Sequence, residues 1–487
     1  MAGLMHMSAV VKSHVVLRNL PLGVVRVGAL LVTVVTPWLY GGTLDWTIDL
    51  ISTVMLWLSA AALVAWAIAG RLPKVGWILP VTLVLMALGW AAVLNPQAKF
   101  DEKLMILFPL ERPTWSAWLP GTVDLEMAMR SMRRLTGLIG LLWIMLDMAR
   151  ESGWRKAIIW TVTLTGCSVA AHGIAQKTAG DVWNYWEGRT LPITVFAGFW
   201  YHANAAALLN LCWPFVAALT LESFARGRNQ LKRALLMAGI LLMMAAVIVN
   251  VSKAGHMLFA VLIVVWIGLV LPSFLRSVTG VDEIRRPLMI TTSLMILAGG
   301  GLALAFGADK AHVRWQEMSM KRMQTESRYA SARFCLGELP RAGLTGFGPG
   351  TFEAVFLDVG TTHPEKVPDQ RWRFAHQDTL QTLLEWGWLG GGLWIAIGLG
   401  ALRAAYRSMH QLRQPFFSSR HVFQAAAFTS LTGVALHAQM DFPLQILGVQ
   451  VIVVAVVALG MTVPDQQERR RSRTASSEGK IQQPITA

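Results

Sequence analysis

The sequence predicts an all-α integral membrane protein of about twelve transmembrane helices with one large extracytoplasmic loop containing short helices. Three observations lead there. Hydrophobic residues make up 54% of the 487-residue chain and charged residues only 15%, a balance that a soluble domain of this length could not fold without exposing large apolar surfaces. Apolar runs of near-spanning length recur along the chain, and lysine and arginine gather in alternate connections between them.

Stretches of about 20 apolar residues are long enough to cross a bilayer as helices. They place spans at roughly 22–41, 49–70, 75–94, 134–149, 156–177, 198–221, 234–251, 254–273, 287–307, 386–404, 422–438 and 443–462. The first run lacks a small-residue cleavage site and continues into PWLYGGTLDW, so it is expected to be a retained span, with no soluble domain before it. The organisation is then a bundle over 1–307, an outer loop over 308–385, three closing spans over 386–462, and a basic tail over 463–487 of low hydrophobicity, expected to be disordered.

Orientation follows from the loop charges. Arg71 and Lys74, then Arg150, Arg155 and Lys156, then Arg226, Arg228, Lys232 and Arg233, then Arg276, Arg285 and Arg286, then Arg403, Arg407, Arg413 and Arg420 fall in alternate connections. That pattern makes these loops and both termini cytoplasmic, and it puts 95–133 and 308–385 on the opposite face. A net charge of +15 could suggest nucleic acid. Its dispersal over short loops and a tail argues instead for topology and contact with membrane lipids, with no nucleic-acid partner. Cys167, Cys212 and Cys335 are far apart and form neither a disulfide framework nor a zinc pattern.

Two cations break the charge bias. Arg189, in WEGRTLPITVFAGFWYHAN, and Lys253, in VSKAGH, fall at the outer ends of spans, where an anion such as a lipid-linked phosphate would hold them and snorkelling to headgroups is the plain alternative. His376 precedes a run with helical spacing of Leu380, Leu383, Leu384 and Trp388, which suggests Asp378 as N-cap with Gln381 in a capping box. A histidine there could deprotonate a hydroxyl or meet a diphosphate, or simply be satisfied by backbone carbonyls. Arg328 could bind phosphate or sugar, or pair with Glu326 or Glu338. His172, His202, His256 and His437 are expected to be buried hydrogen-bonding residues. GFGPGTF at 346–352 lacks the strand and helix of a nucleotide site and is expected to be a tight turn with Pro349 and Phe352 docked on the spans. Short helices are expected near 325–338 and 379–388. Trp115 and Trp118 suit an interfacial anchor for 95–133 or a platform for sugar rings.

Taken in order, the basic residue before span six, the S-K-A-G hairpin, SRYASARFCLGELPRAGLTGFGPGTF and HQDTLQTLLEWGWLG resemble the O-antigen ligase and O-antigen polymerase superfamily. PWLYGG and HAQMDFPL are similar to that family too, and the likeness covers about 185–445, sharpest over 326–392. It implies a membrane glycosyltransferase that moves a glycan from an undecaprenyl-diphosphate carrier to a glycan, lipid or protein acceptor at the extracytoplasmic face of the bacterial inner membrane. By the same likeness Arg189 and Lys253 would attend the diphosphate and His376 would activate the acceptor. The chain departs from the family at Lys253, where arginine is usual, and at HANAAA over 202–207, where a more polar asparagine-proline stretch is usual. The outer loops contain no D-x-D pair, so no metal or other cofactor is expected; Arg189 and Lys253, with Arg328 as a possible third, would be the fixed cations stabilising the leaving group. A repeat-unit polymerase fits the same residues. A twelve-span transporter or flippase fits less well, because conspicuous charges lie at one surface instead of the midplane and no repeat of one half in the other is apparent.

Overall fold

The computed structural model describes residues 2–111, 116, 119–179, 195–226, 229–277, 327–364, 367, 372–410 and 419–462. Thirteen α-helices lie among them. Helices α1 (Ala2–Trp38), α2 (Asp45–Ala69) and α3 (Ile78–Leu94) are followed by a small hairpin, β1 (Ala98–Asp101) and β2 (Ile106–Pro109). Next come α4 (Leu125–Ala149), α5 (Ser152–Thr178), α6 (His202–Arg226), α7 (Gln230–Val249) and α8 (Lys253–Ser277). Two shorter helices, α9 (Ser327–Ala342) and α10 (Phe352–Thr362), precede α11 (Asp378–His410), α12 (Ser419–His437) and α13 (Leu447–Gly460).

Among the described residues, seven helical stretches are long and apolar enough to cross a membrane: Leu20–Trp38, Asp45–Ala69, Ser152–Thr178, His202–Phe224, Gln230–Val249, Lys253–Leu271 and Asp378–Met409. Large apolar side chains such as Trp57, Leu63, Val64, Val264 and Leu399 project outward from them, as suits helices bathed in lipid. The expected count of twelve is not reached among the described residues. Helices α3 and α13 are apolar but short. Helix α4 carries Glu126, Arg130, Arg133, Arg134 and Asp147, and α12 is rich in Ser, Thr, Gln and His. The expected span over 287–307 and the first part of the expected outer loop lie outside the described residues.

Small residues let the helices approach closely. Gly137 and Gly140 of α4 pack on Met55 and Ser59 of α2, and Gly166 of α5 packs on Cys212 of α6. Helix α12 lies antiparallel along α6, where Ser430 Oγ donates to the Leu211 carbonyl at 2.7 Å. It also lies along α8, where Gly433 meets Leu262.

A second apolar cluster caps one end of this bundle. Phe334, Cys335 and Leu339 of α9, Phe352, Val355 and Phe356 of α10, Trp372 and Leu384 are buried together with Ala98 and Val123. The helices expected near 325–338 and 379–388 correspond to α9 and the first part of α11; α10 and the hairpin were not anticipated, so the chain is not strictly all-α. In the hairpin, Asp101 pairs with Ile106 and Ala98 with Pro109, and Asp358 of α10 accepts the Leu107 N–H at 2.8 Å. The expected role of Trp115 and Trp118 falls outside the described residues.

The glycine-rich segment forms a tight turn, as expected, but Phe352 packs within the cap on Phe334 and Phe356. Gly346, Gly348 and Gly350 all have positive φ, at 79°, 110° and 77°, a conformation glycine adopts without steric cost. A side chain at Gly346 would strike the Glu385 carbonyl, and one at Gly348 would strike Thr122. Helix α11 breaks at Gly387 (φ 61°, ψ −171°). The turn repairs the break: Phe347 N donates to Leu384 O at 3.0 Å, Gly348 N to Glu385 O at 2.9 Å, and Leu389 N to Leu344 O at 3.0 Å.

Candidate functional site

The capped end gathers His376, Arg328, Tyr201 and Asp441 around one buried carboxylate. Asp441 follows α12 in a tight turn in which Met440 N and Asp441 N both donate to the His437 carbonyl. Its side chain is fully buried. Oδ1 lies 3.1 Å from His376 Nδ1 and accepts the Phe442 N–H at 3.1 Å. Oδ2 accepts from Tyr201 Oη at 3.2 Å and from Arg328 Nη2 at 3.3 Å. The same Arg328 Nη2 donates to Tyr201 Oη at 2.6 Å, so cation, phenol and carboxylate close a triangle.

Burial pushes the Asp441 carboxyl up, but the His376 hydrogen bond and the Arg328 charge outweigh it and hold the group below the ordinary carboxylate range. An ionised acceptor at Nδ1 fixes the proton there and leaves the His376 Nε2 lone pair without a hydrogen-bond partner among the described residues. The side chain of His376 is 26% exposed, so a ligand can reach it. Its backbone is left-handed (φ 53°), a strained state for a residue with a Cβ. Aromatic rings hold the imidazole: Phe442 meets it edge-on at 4.6 Å and Trp372 at 5.3 Å. Phe442 is itself stacked between Tyr201 at 5.5 Å and Phe374 at 4.7 Å.

The start of α11 differs from the expected capping box. Gln377, not Asp378, caps the helix through its Oε1, which accepts the Leu380 N–H. The Asp378 carboxylate instead accepts Leu444 N at 2.8 Å and Gln445 Nε2 at 3.1 Å, tying the helix foot to the segment after Asp441. Gln381 takes the Ala375 N–H at 3.0 Å and gives its amide to Glu385 at 2.9 Å. These bonds fix residues on both sides of His376.

Arg328 does not pair with Glu338 as one reading allowed. Glu338 belongs to Arg341 at 2.8 Å, and Arg328 is engaged with Asp441. Lys253 opens α8 directly after Ser252, whose Oγ accepts the Gly255 N–H at 3.1 Å. Because α8 and α12 are antiparallel, Lys253 and His437 lie at the same end of the bundle. No hydrogen bond or ion pair engages the Lys253 ammonium among the described residues, and none joins it to the His376 set. Arg189 lies outside the described residues.

Other histidines divide. His256 Nε2 lies 2.9 Å from the Val247 carbonyl, a structural bond as expected. His172 stacks on Trp38 at 5.4 Å. His437 is buried with neither ring nitrogen hydrogen-bonded, unlike the expectation for it. Among the described residues no group of three or more His, Cys, Asp or Glu is placed to hold a metal ion.

Asp441 and Tyr201 were missed as site residues by sequence reasoning. Asp441 had one signal, as the lone acid in a short connection free of lysine and arginine. Tyr201 had none.

Fold and site together define a membrane-embedded helical protein with a carboxylate-oriented histidine at one end of its bundle. The sequence matches no protein-family model and no curated protein.

Proposed function

We propose that the chain is a membrane glycosyltransferase of the O-antigen ligase type, acting on an undecaprenyl-diphosphate-linked glycan at the extracytoplasmic face. The observation that carries this reading is the His376–Asp441 pair at 3.1 Å with the outer ring nitrogen open, at the same end of the bundle as Lys253. A base needs one fixed tautomer and a reachable lone pair, and Asp441 supplies the first while partial exposure of His376 supplies the second.

In this mechanism His376 Nε2 takes the proton from an acceptor hydroxyl as that oxygen bonds to the anomeric carbon. The bond from that carbon to the diphosphate oxygen breaks, and its electron pair leaves on the diphosphate. Lys253 and Arg189 would stabilise the charge that develops there, as preorganised cations do most effectively in a water-poor site. A single displacement of this kind inverts the anomeric centre. Arg328 acts through Asp441, holding the carboxylate that orients the base, and so is a positioning residue here instead of a phosphate ligand.

The deciding experiment uses purified full-length protein, an undecaprenyl-diphosphate glycan and candidate acceptors. Transfer to a lipid-linked core or a protein supports the ligase; extension of one lipid-linked glycan by another supports a repeat-unit polymerase with the same chemistry. Movement of the intact donor across vesicles without any transfer would overturn both in favour of a transporter. Lys253→Arg should keep substantial activity, whereas Lys253→Ala should cost about 2–4 kcal/mol of transition-state stabilisation, the value of one preorganised donor.

A further inference from the structure

At the end of the bundle opposite His376, a cavity of about 220 Å³ opens where α3, α4, α11 and α13 meet. A single water occupies about 30 Å³ of liquid volume, so the space exceeds what one or two bridging waters would fill. Its walls are of two kinds. Leu146, Ala404, Ala458 and Met461 make an apolar side, and Arg150, Gly76 and Trp77 make the other.

Arg150 is the residue that needs an explanation. Its Nε donates to the Lys74 carbonyl at 2.7 Å, which leaves both terminal nitrogens for another partner. The acids beside it in sequence are already engaged: Asp147 holds Arg26 at 3.1 Å and Arg71 at 2.6 Å, and Glu151 holds Arg26 at 2.6 Å. No carboxylate pairs with Arg150 among the described residues. Its Nη2 points along Gly76, 3.8 Å from where a side chain at that position would begin. A guanidinium with free donors thus borders a cavity whose opposite wall is hydrocarbon.

We propose that this cavity binds an anionic phospholipid, with the phosphodiester on Arg150 and the acyl chains leaving along Leu146, Ala404 and Met461. The terminal nitrogens of an arginine favour a phosphate oxygen. The apolar wall favours a lipid over a free anion, and Lys74 nearby favours a headgroup with net negative charge. Trp77, 43% exposed at the rim, is the kind of side chain that settles at the level of headgroups. The site is independent of the chemistry at His376.

The test titrates the full-length protein in uncharged detergent with phosphatidylglycerol, phosphatidylcholine or inorganic phosphate, following the melting temperature and counting bound lipid by native mass spectrometry. Phosphatidylglycerol should raise the melting temperature and remain bound, with phosphatidylcholine much weaker and inorganic phosphate without effect. Arg150→Gln should weaken phosphatidylglycerol binding roughly tenfold, about 1.4 kcal/mol, Arg150→Lys should retain most of it, and Ala404→Phe should block it by filling the cavity. The proposal is overturned if phosphatidylglycerol has no effect on the unmodified protein, or if phosphatidylcholine or inorganic phosphate does as well. Undiminished binding by Arg150→Gln, or by Ala404→Phe should the first variant fail to fold, overturns it equally.

Discussion

Each end of the bundle is organised around one buried aspartate, and the two are used differently. Asp147 is clamped by Arg26 and Arg71 and accepts the Lys74 N–H at 3.3 Å, with Glu151 closing on Arg26. Its charge is matched entirely by guanidiniums that stay charged at any relevant pH, and the cluster stitches α1 and α4 to the segment after α2. Asp441 has one guanidinium, one phenol and one imidazole. Replacing the second arginine by a half-open histidine turns a structural clamp into a device that orients a base. The carboxylate is buried in both; the partner decides what it can do.

That contrast can be broken or sharpened by substitution. The largest effect is expected from His376→Ala, which should lower glycan transfer by about 10²–10⁴-fold while insertion and melting stay near normal, since the imidazole is partly exposed; near-normal transfer at normal expression would remove the base. Asp147→Leu should do the reverse, lowering stability by about 3–5 kcal/mol because it takes from Arg71 the carboxylate it pairs with and leaves buried Arg26 with Glu151 alone, as read by thermal melting in detergent. Next comes Asp441→Asn, which should lower kcat far more than KM and move the pH profile of transfer, because the amide no longer dictates which ring nitrogen carries the proton. A simple packing role for Asp441 would leave that profile in place.

The pH dependence of stability separates the ends further. The Asp441 carboxyl is held low when folded, so its contribution is present above the unfolded value of about 3.9 and is lost as pH falls through the folded value. The melting difference between the unmodified protein and Asp441→Asn should therefore shrink below about pH 4. A gap that stays constant to pH 2 would contradict the assignment. Smallest is Tyr201→Phe, which removes the phenol from the Arg328–Asp441 triangle and should cost about 1 kcal/mol of stability, with transfer reduced and not abolished.

The parts legible in the sequence were those carried by local pattern. Apolar runs marked the long helices, the positions of Gly346, Gly348 and Gly350 marked a tight turn, and the leucine spacing after His376 marked the first part of α11. What local pattern could not supply was pairing. Asp441 meets His376 across 65 residues, Arg328 across 113 and Tyr201 across 240, and no periodicity links positions so far apart. The capping box failed for a related reason: Asp378 has the right chemistry for a cap, but the turn at Leu444 and Gln445 offers its carboxylate better partners, and Gln377 takes the vacated role.

By itself the sequence determined that long helices would form and bury against one another, because apolar length and helical spacing are local properties of the chain. It also singled out Arg189 and Lys253 as cations against the charge bias of the loops, and His376 and Arg328 as polar groups beside the expected helices of the large outer loop. Only the tertiary structure decided that Asp441 would stand between His376 and Arg328. The tight turn after α12, the break at Gly387 and the glycine-rich turn that mends it bring distant segments to one place, and a buried carboxylate takes its character from whatever charged and polar groups packing leaves within hydrogen-bonding reach.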